Sequence, residues 1–205
     1  MTAKVQYQKI LTLLQDTYSD ATTELQFRNP FELLIATILA AQSTDRQVNV
    51  VTENLFKKYP DPESFAKMMP EELADDIKGV GLFRNKSRHI IATSRKILQE
   101  FNGQVPKTRE ELESLPGVGR KTANVVLSVA FGIPALAVDT HVFRVSNRLG
   151  LAKGKNPLEV EEQLCEIIPK DLWAKAHHWL IHHGRQVCKA RTPLCQLCMI
   201  STYCK

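Results

Sequence analysis

With 205 residues the chain can bury a sizeable core, as one large domain or two small ones. Its apolar content of 43% is ordinary for a globular protein, and its longest clean apolar run, residues 33–41, is far too short to span a bilayer, which argues against a membrane helix. Twenty-seven Lys and Arg against 22 Asp and Glu leave a net charge of +5, a modest excess that suits either a polyanionic partner or a solvated basic face.

Met1 leads straight into a polar, amphipathic stretch without a basic, apolar leader, so no secretion is expected. From there apolar residues recur at three- and four-residue spacing. They do so in Val5-Ile10-Leu11-Leu13-Leu14, in Phe31-Leu34-Ile35-Ile38-Leu39 and in Ile90-Ile91-Ile97-Leu98. No segment alternates convincingly with period two. The ten prolines mostly fall where a helix should begin or has just ended. The pattern predicts an all-α fold of roughly ten short helices. Lys78-Gly79-Val80-Gly81 is echoed by Pro116-Gly117-Val118-Gly119, each between helical stretches.

The second of these turns is the more informative. A short predicted helix, 109–114, precedes LPGVGRKTA, and an apolar helix, 122–131, follows it. Glycines permit positive φ and let a phosphate reach bare backbone. The following helix begins with unpaired N–H groups at its positive end. Together these make an anion site, a helix-hairpin-helix that holds one DNA strand by phosphates without reading sequence. Gly117 and Gly119, with Arg120 beside them, are the candidate contacts. A tight helix–helix connection would also favour glycine.

Lys121 lies in the first turn of that helix. The positive helix end, and burial beside DNA, would favour a neutral, nucleophilic amine; an ordinary phosphate contact is the competing reading. Asp139 ends the apolar segment 135–138 and begins a helical run, 140–149. Aspartate suits an N-cap, and a capping carboxylate can also face a substrate. His141 suits phosphate contact or simple packing. Along 160–168, Cys165 reads as a buried core residue. His177, His178, His182 and His183 have helical metal-ligand spacing, a metal reading that is discounted.

Cys188, Cys195, Cys198 and Cys204 complete the chain in a C-x6-C-x2-C-x5-C pattern. An odd total of five cysteines argues against a disulfide framework, and four thiols in so short a loop argue for a metal. Only one Cys-x-x-Cys unit is present, so the spacing favours an iron–sulfur cluster but leaves zinc open. Lys189 and Arg191 lie between the first two cysteines and suit phosphate contact.

LPGVGRKTANVVL followed by VDTHVFRVSNRLG resembles the endonuclease III family of DNA glycosylases. The likeness extends to HHWLIHHGR, to the terminal cysteines and back to FELLIATILAAQSTD, nearly the whole chain. The resemblance implies two helical lobes, a six-helix barrel over 22–132 and an iron–sulfur cluster lobe over 1–21 plus 133–205. It implies a base-excision repair enzyme, a DNA glycosylase and abasic-site lyase acting on damaged pyrimidines through a Schiff base. Lys121 falls at the family's nucleophile position and Asp139 at its catalytic carboxylate. The four C-terminal cysteines fall at its [4Fe–4S] ligands. Gln42 and Leu82 match positions that enter the duplex, Gln42 filling the gap left by a flipped nucleotide and Leu82 wedging the opposite strand. The partner is double-stranded DNA with damaged pyrimidines or abasic sites, bound by a cytoplasmic, nucleoid-associated monomer. Adenine-mispair, thymine-mismatch and pyrimidine-dimer glycosylases are the alternatives within the same superfamily. Of these, the adenine-mispair enzyme lacks a lysine at the position of Lys121. A non-catalytic DNA-binding module or a redox protein would need neither Lys121 nor Asp139.

Overall fold

A computed structural model describes residues 3–204. The outer ends of the expected cluster lobe, residues 1–2 and 205, lie outside the described residues. Eleven α-helices and no strand occur among the described residues, so the expected all-α fold is what forms. None of the helices is long and apolar enough to cross a membrane. The chain divides into two compact units, Glu24–Ile133 and the described parts of Met1–Thr23 with Pro134–Lys205.

The first unit holds seven helices: α2 (Pro30–Leu39), α3 (Asp45–Lys58), α4 (Pro62–Ala66), α5 (Pro70–Asp76), α6 (Phe83–Glu100), α7 (Arg109–Glu113) and α8 (Arg120–Val125). α2 is apolar on every side and is buried from Phe31 to Leu39, as such a helix must be. Its single charge, Glu32, is paired with Arg28 at 2.7 Å. Asn29 caps α2 by accepting from the Glu32 N–H, ahead of a proline at the first helical position. α2 stops at Leu39, two residues short of the end of the apolar run 33–41, and Gln42 just beyond takes φ 55°. α8 starts two residues earlier than the sequence suggests and runs into a π turn, Val126–Ala130.

The second unit joins α1 (Ala3–Thr17) to α9 (Thr140–Leu149), α10 (Pro157–Ile167) and α11 (Trp173–Gln186). Ile10 and Leu14 of α1, Val142 and Val145 of α9, Leu164 of α10 and Trp179 of α11 form one core. Gln6 donates to the Tyr203 carbonyl at 3.1 Å, tying the first helix to the last described turn. Cys165 is only half-buried at the edge of this core, not within it, because Leu164 takes the fully buried position beside it on α10.

Candidate functional site

In the first unit, α6 aligns two glycine turns. Its N-cap is Leu82, whose φ of 57° is left-handed and costs about 1–2 kcal/mol in a side chain with no local compensation. Leu82 is nevertheless 52% exposed, so burial does not explain the strain. The neighbouring loop carries Gln42, also exposed and also left-handed. The two tips adjoin: a Cβ placed on Gly81 would lie 3.0 Å from the Gln42 carbonyl oxygen, and the Gly81 N–H donates to Ser43 Oγ at 3.0 Å.

Further along the same face of α6, Thr93 donates to the Pro116 carbonyl at 2.7 Å and Lys96 to the Ser114 carbonyl at 3.1 Å. His89 lies against Gly117, where a Cβ would come within 2.8 Å of it. Gly117 has φ 78°, so glycine is required twice over, by conformation and by space. Gly119 differs. It is the N-cap of α8 with ordinary extended backbone, and no atom lies within 4 Å of a Cβ placed there. The open space beside the first N–H groups of α8 is what an approaching phosphate needs. Arg120 is half-buried and Lys121 exposed in the first turn of α8. The expected burial of Lys121 is therefore not a property of the DNA-free protein; any desolvation of its amine comes with the ligand.

In the second unit, Asp139 caps α9. Its Oδ1 accepts from the N–H groups of His141 and Val142, both at 2.8 Å, so capping uses one oxygen of the carboxylate. His141 is half-buried against Gly184, and its Nδ1 is 3.2 Å from an Arg144 nitrogen. Burial pulls the His141 pKa below its usual value, with Arg144 and Arg185 acting in the same direction and Asp139 opposing.

Cys188 is buried, Cys198 half-buried, Cys195 and Cys204 exposed. Burial pushes the Cys198 pKa up, a hydrogen bond with the Ile200 backbone opposes it, and the thiols of Cys188, Cys204 and Cys195 raise it further. Holding them together as thiolates calls for a positive centre among them. Among the described residues no three His, Cys, Asp or Glu side chains converge as ligands of one ion would. A four-iron cluster places its thiolates on separate iron atoms and asks for no such convergence. Two arginines that no sequence motif marks hold this loop. Arg144 donates to the Cys188 carbonyl at 3.1 Å and the Gly184 carbonyl at 3.0 Å. One turn on, Arg148 donates to the Lys189 and Ala190 carbonyls, each at 2.8 Å, and lies 3.5 Å from Cys188 Sγ. Their i, i+4 spacing on the helix that Asp139 starts was the available signal. Lys189 and Arg191 are exposed on the loop so anchored.

The histidine string divides between packing tasks. His177 Nδ1 is 2.7 Å from the Ala137 carbonyl. His183 meets the Tyr18 hydroxyl at 3.2 Å, and burial lowers its pKa to about 4.

Residues 35–170 match the model of the HhH-GPD superfamily of base-excision DNA-repair proteins. Endonuclease III of Haemophilus influenzae is 50% identical over 197 residues, 96% of this chain and 93% of that relative. Endonuclease III of Bacillus subtilis is likewise 50% identical, over 95% of this chain and 90% of its own length. The fold superposes with a TM-score of 0.96 on a solved trapped endonuclease III–DNA covalent intermediate that is 50% identical, covering 100% of this chain and 97% of that one.

Proposed function

The chain belongs to the endonuclease III family of the HhH-GPD superfamily, and is thus a base-excision DNA glycosylase and abasic-site lyase, and from that membership we propose that Lys121 is its nucleophile and Asp139 its catalytic carboxylate. The observation that carries the reading is the place of Lys121. An exposed amine stands on the first turn of a helix whose N-terminus is open to a phosphate at Gly119. A covalent enzyme–DNA intermediate in a relative of half-identical sequence supports a covalent nucleophile on the enzyme.

The substrate is duplex DNA with an oxidised or ring-damaged pyrimidine, or an abasic site. Gly117, Gly119 and Arg120 hold a phosphate of the damaged strand, and His141 contacts another. Lys189 and Arg191 add cations to the backbone contact. Gln42 and Leu82 enter the duplex as the damaged nucleotide leaves the stack, Gln42 filling the gap and Leu82 wedging the opposite strand. Asp139 stabilises positive charge on the sugar as the C1′–N bond breaks, and the Lys121 amine forms a bond to C1′. The nitrogen gives one proton to the departing base and one to O4′ as the C1′–O4′ bond opens, and the resulting imine acidifies the C2′ proton. Loss of that proton expels the 3′ phosphate by β-elimination, and hydrolysis of the imine returns the amine.

Cys188, Cys195, Cys198 and Cys204 are the residues that would hold a [4Fe–4S] cluster. When bound it supplies a covalent crosslink that orders the C-terminal segment and the loop displaying Lys189 and Arg191. The purified protein should contain iron and acid-labile sulfide in equal amounts; stoichiometric zinc without sulfide would contradict this. The two compact units correspond in this reading to the barrel and cluster lobes. The protein acts as a cytoplasmic, nucleoid-associated monomer.

Borohydride added during turnover tests the whole reading. It should reduce the imine and tether the protein to DNA, faster with oxidised pyrimidines than with mispaired adenine or thymine across a panel of duplexes. No adduct with any damaged duplex would refute the Schiff base. Preference for a mispaired base would refute the substrate assignment.

A further inference from the structure

Lys86 is 4% exposed, yet no carboxylate is within ion-pair reach among the described residues. Its Nζ donates to the Leu39 carbonyl at 2.7 Å and to Ser43 Oγ at 3.1 Å. Burying an ammonium among neutral acceptors is unfavourable unless the contacts are needed. Burial alone lowers its pKa. A methionine would fill the same space on α6 without that cost.

The bonds of Lys86 have a common destination. Leu39 is the last residue of α2, whose carbonyl end is negative, and the chain turns from there through Ala40 into the left-handed Gln42. Ser43 follows Gln42, and its Oγ accepts from Lys86 and from the Gly81 N–H at once. Gly81 precedes Leu82, and the Lys86 N–H closes the first turn of α6 on the Leu82 carbonyl at 3.1 Å. One residue therefore grips both exposed, strained tips, Leu82 through its backbone and the Gln42 loop through its side chain.

We propose that Lys86 is a positioning residue that couples the Gln42 and Leu82 tips, so that gap filling and strand wedging occur as one event. This rests on the reading that both tips enter the duplex. Plain capping of α2 would need only the Leu39 carbonyl. The Ser43 bridge to Gly81 is what capping leaves unexplained.

The test uses the full chain with Lys86→Met and Ser43→Ala, each compared on a duplex bearing thymine glycol and on the same duplex with a pre-made abasic site. Lys86→Met should lower base excision roughly tenfold more than nicking of the abasic site, because only excision requires a nucleotide to be extruded. Ser43→Ala should shift the same ratio less, and should speed hydrogen exchange of the Gly81 amide in the DNA-free protein. Adding Gln42→Ala to Lys86→Met should cause little further loss, since the two changes disable one device. If Lys86→Met melts earlier but loses excision and nicking equally, its role is structural and the proposal fails. It fails as well if the losses of Lys86→Met and Gln42→Ala multiply. Should Lys86→Met not fold, Ser43→Ala decides: an unchanged ratio overturns the coupling. The underlying reading fails separately, if Gln42→Ala and Leu82→Ala themselves leave the ratio at its wild-type value.

Discussion

Gly79-Val80-Gly81 and Gly117-Val118-Gly119 are the same three residues, each closing a helix–turn–helix in the same unit. Each valine is buried and donates its N–H three residues back, Val80 to Ile77 and Val118 to Leu115, both at 3.1 Å. The turns differ in where the left-handed residue falls. In the second it is Gly117, which accepts it freely; in the first the glycines are not left-handed, and the strain passes to Leu82. They differ also in space. A Cβ at Gly81 would press on the Gln42 carbonyl, whereas one at Gly119 would meet nothing. The first turn is packed against a second loop and presents a side chain. The second leaves backbone bare at the start of α8. Under the proposed function, identical sequence serves two uses, insertion in one turn and phosphate binding in the other.

The contrast can be broken at each glycine in turn. Gly117→Val should have the largest effect. A β-branched residue at φ 78°, pressed on His89, should cost about 2–3 kcal/mol. That corresponds to roughly 5–10 °C in melting temperature. An unchanged melt would mean that the turn is not held as described. Gly119→Ala should leave the melt unchanged and weaken DNA binding by about tenfold on damaged and undamaged duplexes alike, since phosphate contacts carry no base information. Loss confined to one lesion would contradict a phosphate site. Gly81→Ala should have the smallest effect, a few-fold fall in excision relative to abasic-site nicking, as the new Cβ displaces the Gln42 loop by tenths of an ångström. A uniform loss of DNA affinity there would erase the distinction between the turns.

What was legible in the sequence was what depends on near neighbours. The Asp139 cap, the glycine of the second turn, the cysteine spacing and the helical periods are all set within a few residues. The difference between the two turns was not legible, because it depends on His89 and on Gln42, far off in the chain. Nothing local marks Lys86 in the sequence; its partners are 43 and 47 residues away. Arg144 and Arg148 likewise meet their loop some forty residues on. The early start of α8 and its π turn have no local signal beyond a run of apolar residues, which any helical geometry would bury.

The central claim is that the Lys121 amine is the nucleophile. Borohydride trapping on a duplex with an abasic site, followed by proteolysis and mass spectrometry of the DNA-linked peptide, identifies the amine that carries the sugar. The account predicts attachment at Lys121. It also predicts that Lys121→Gln loses the adduct while melting at the wild-type temperature, because an exposed first-turn residue can be polar and uncharged without unpacking the helix. Attachment at another amine, or trapping of Lys121→Gln at the normal rate, would contradict it.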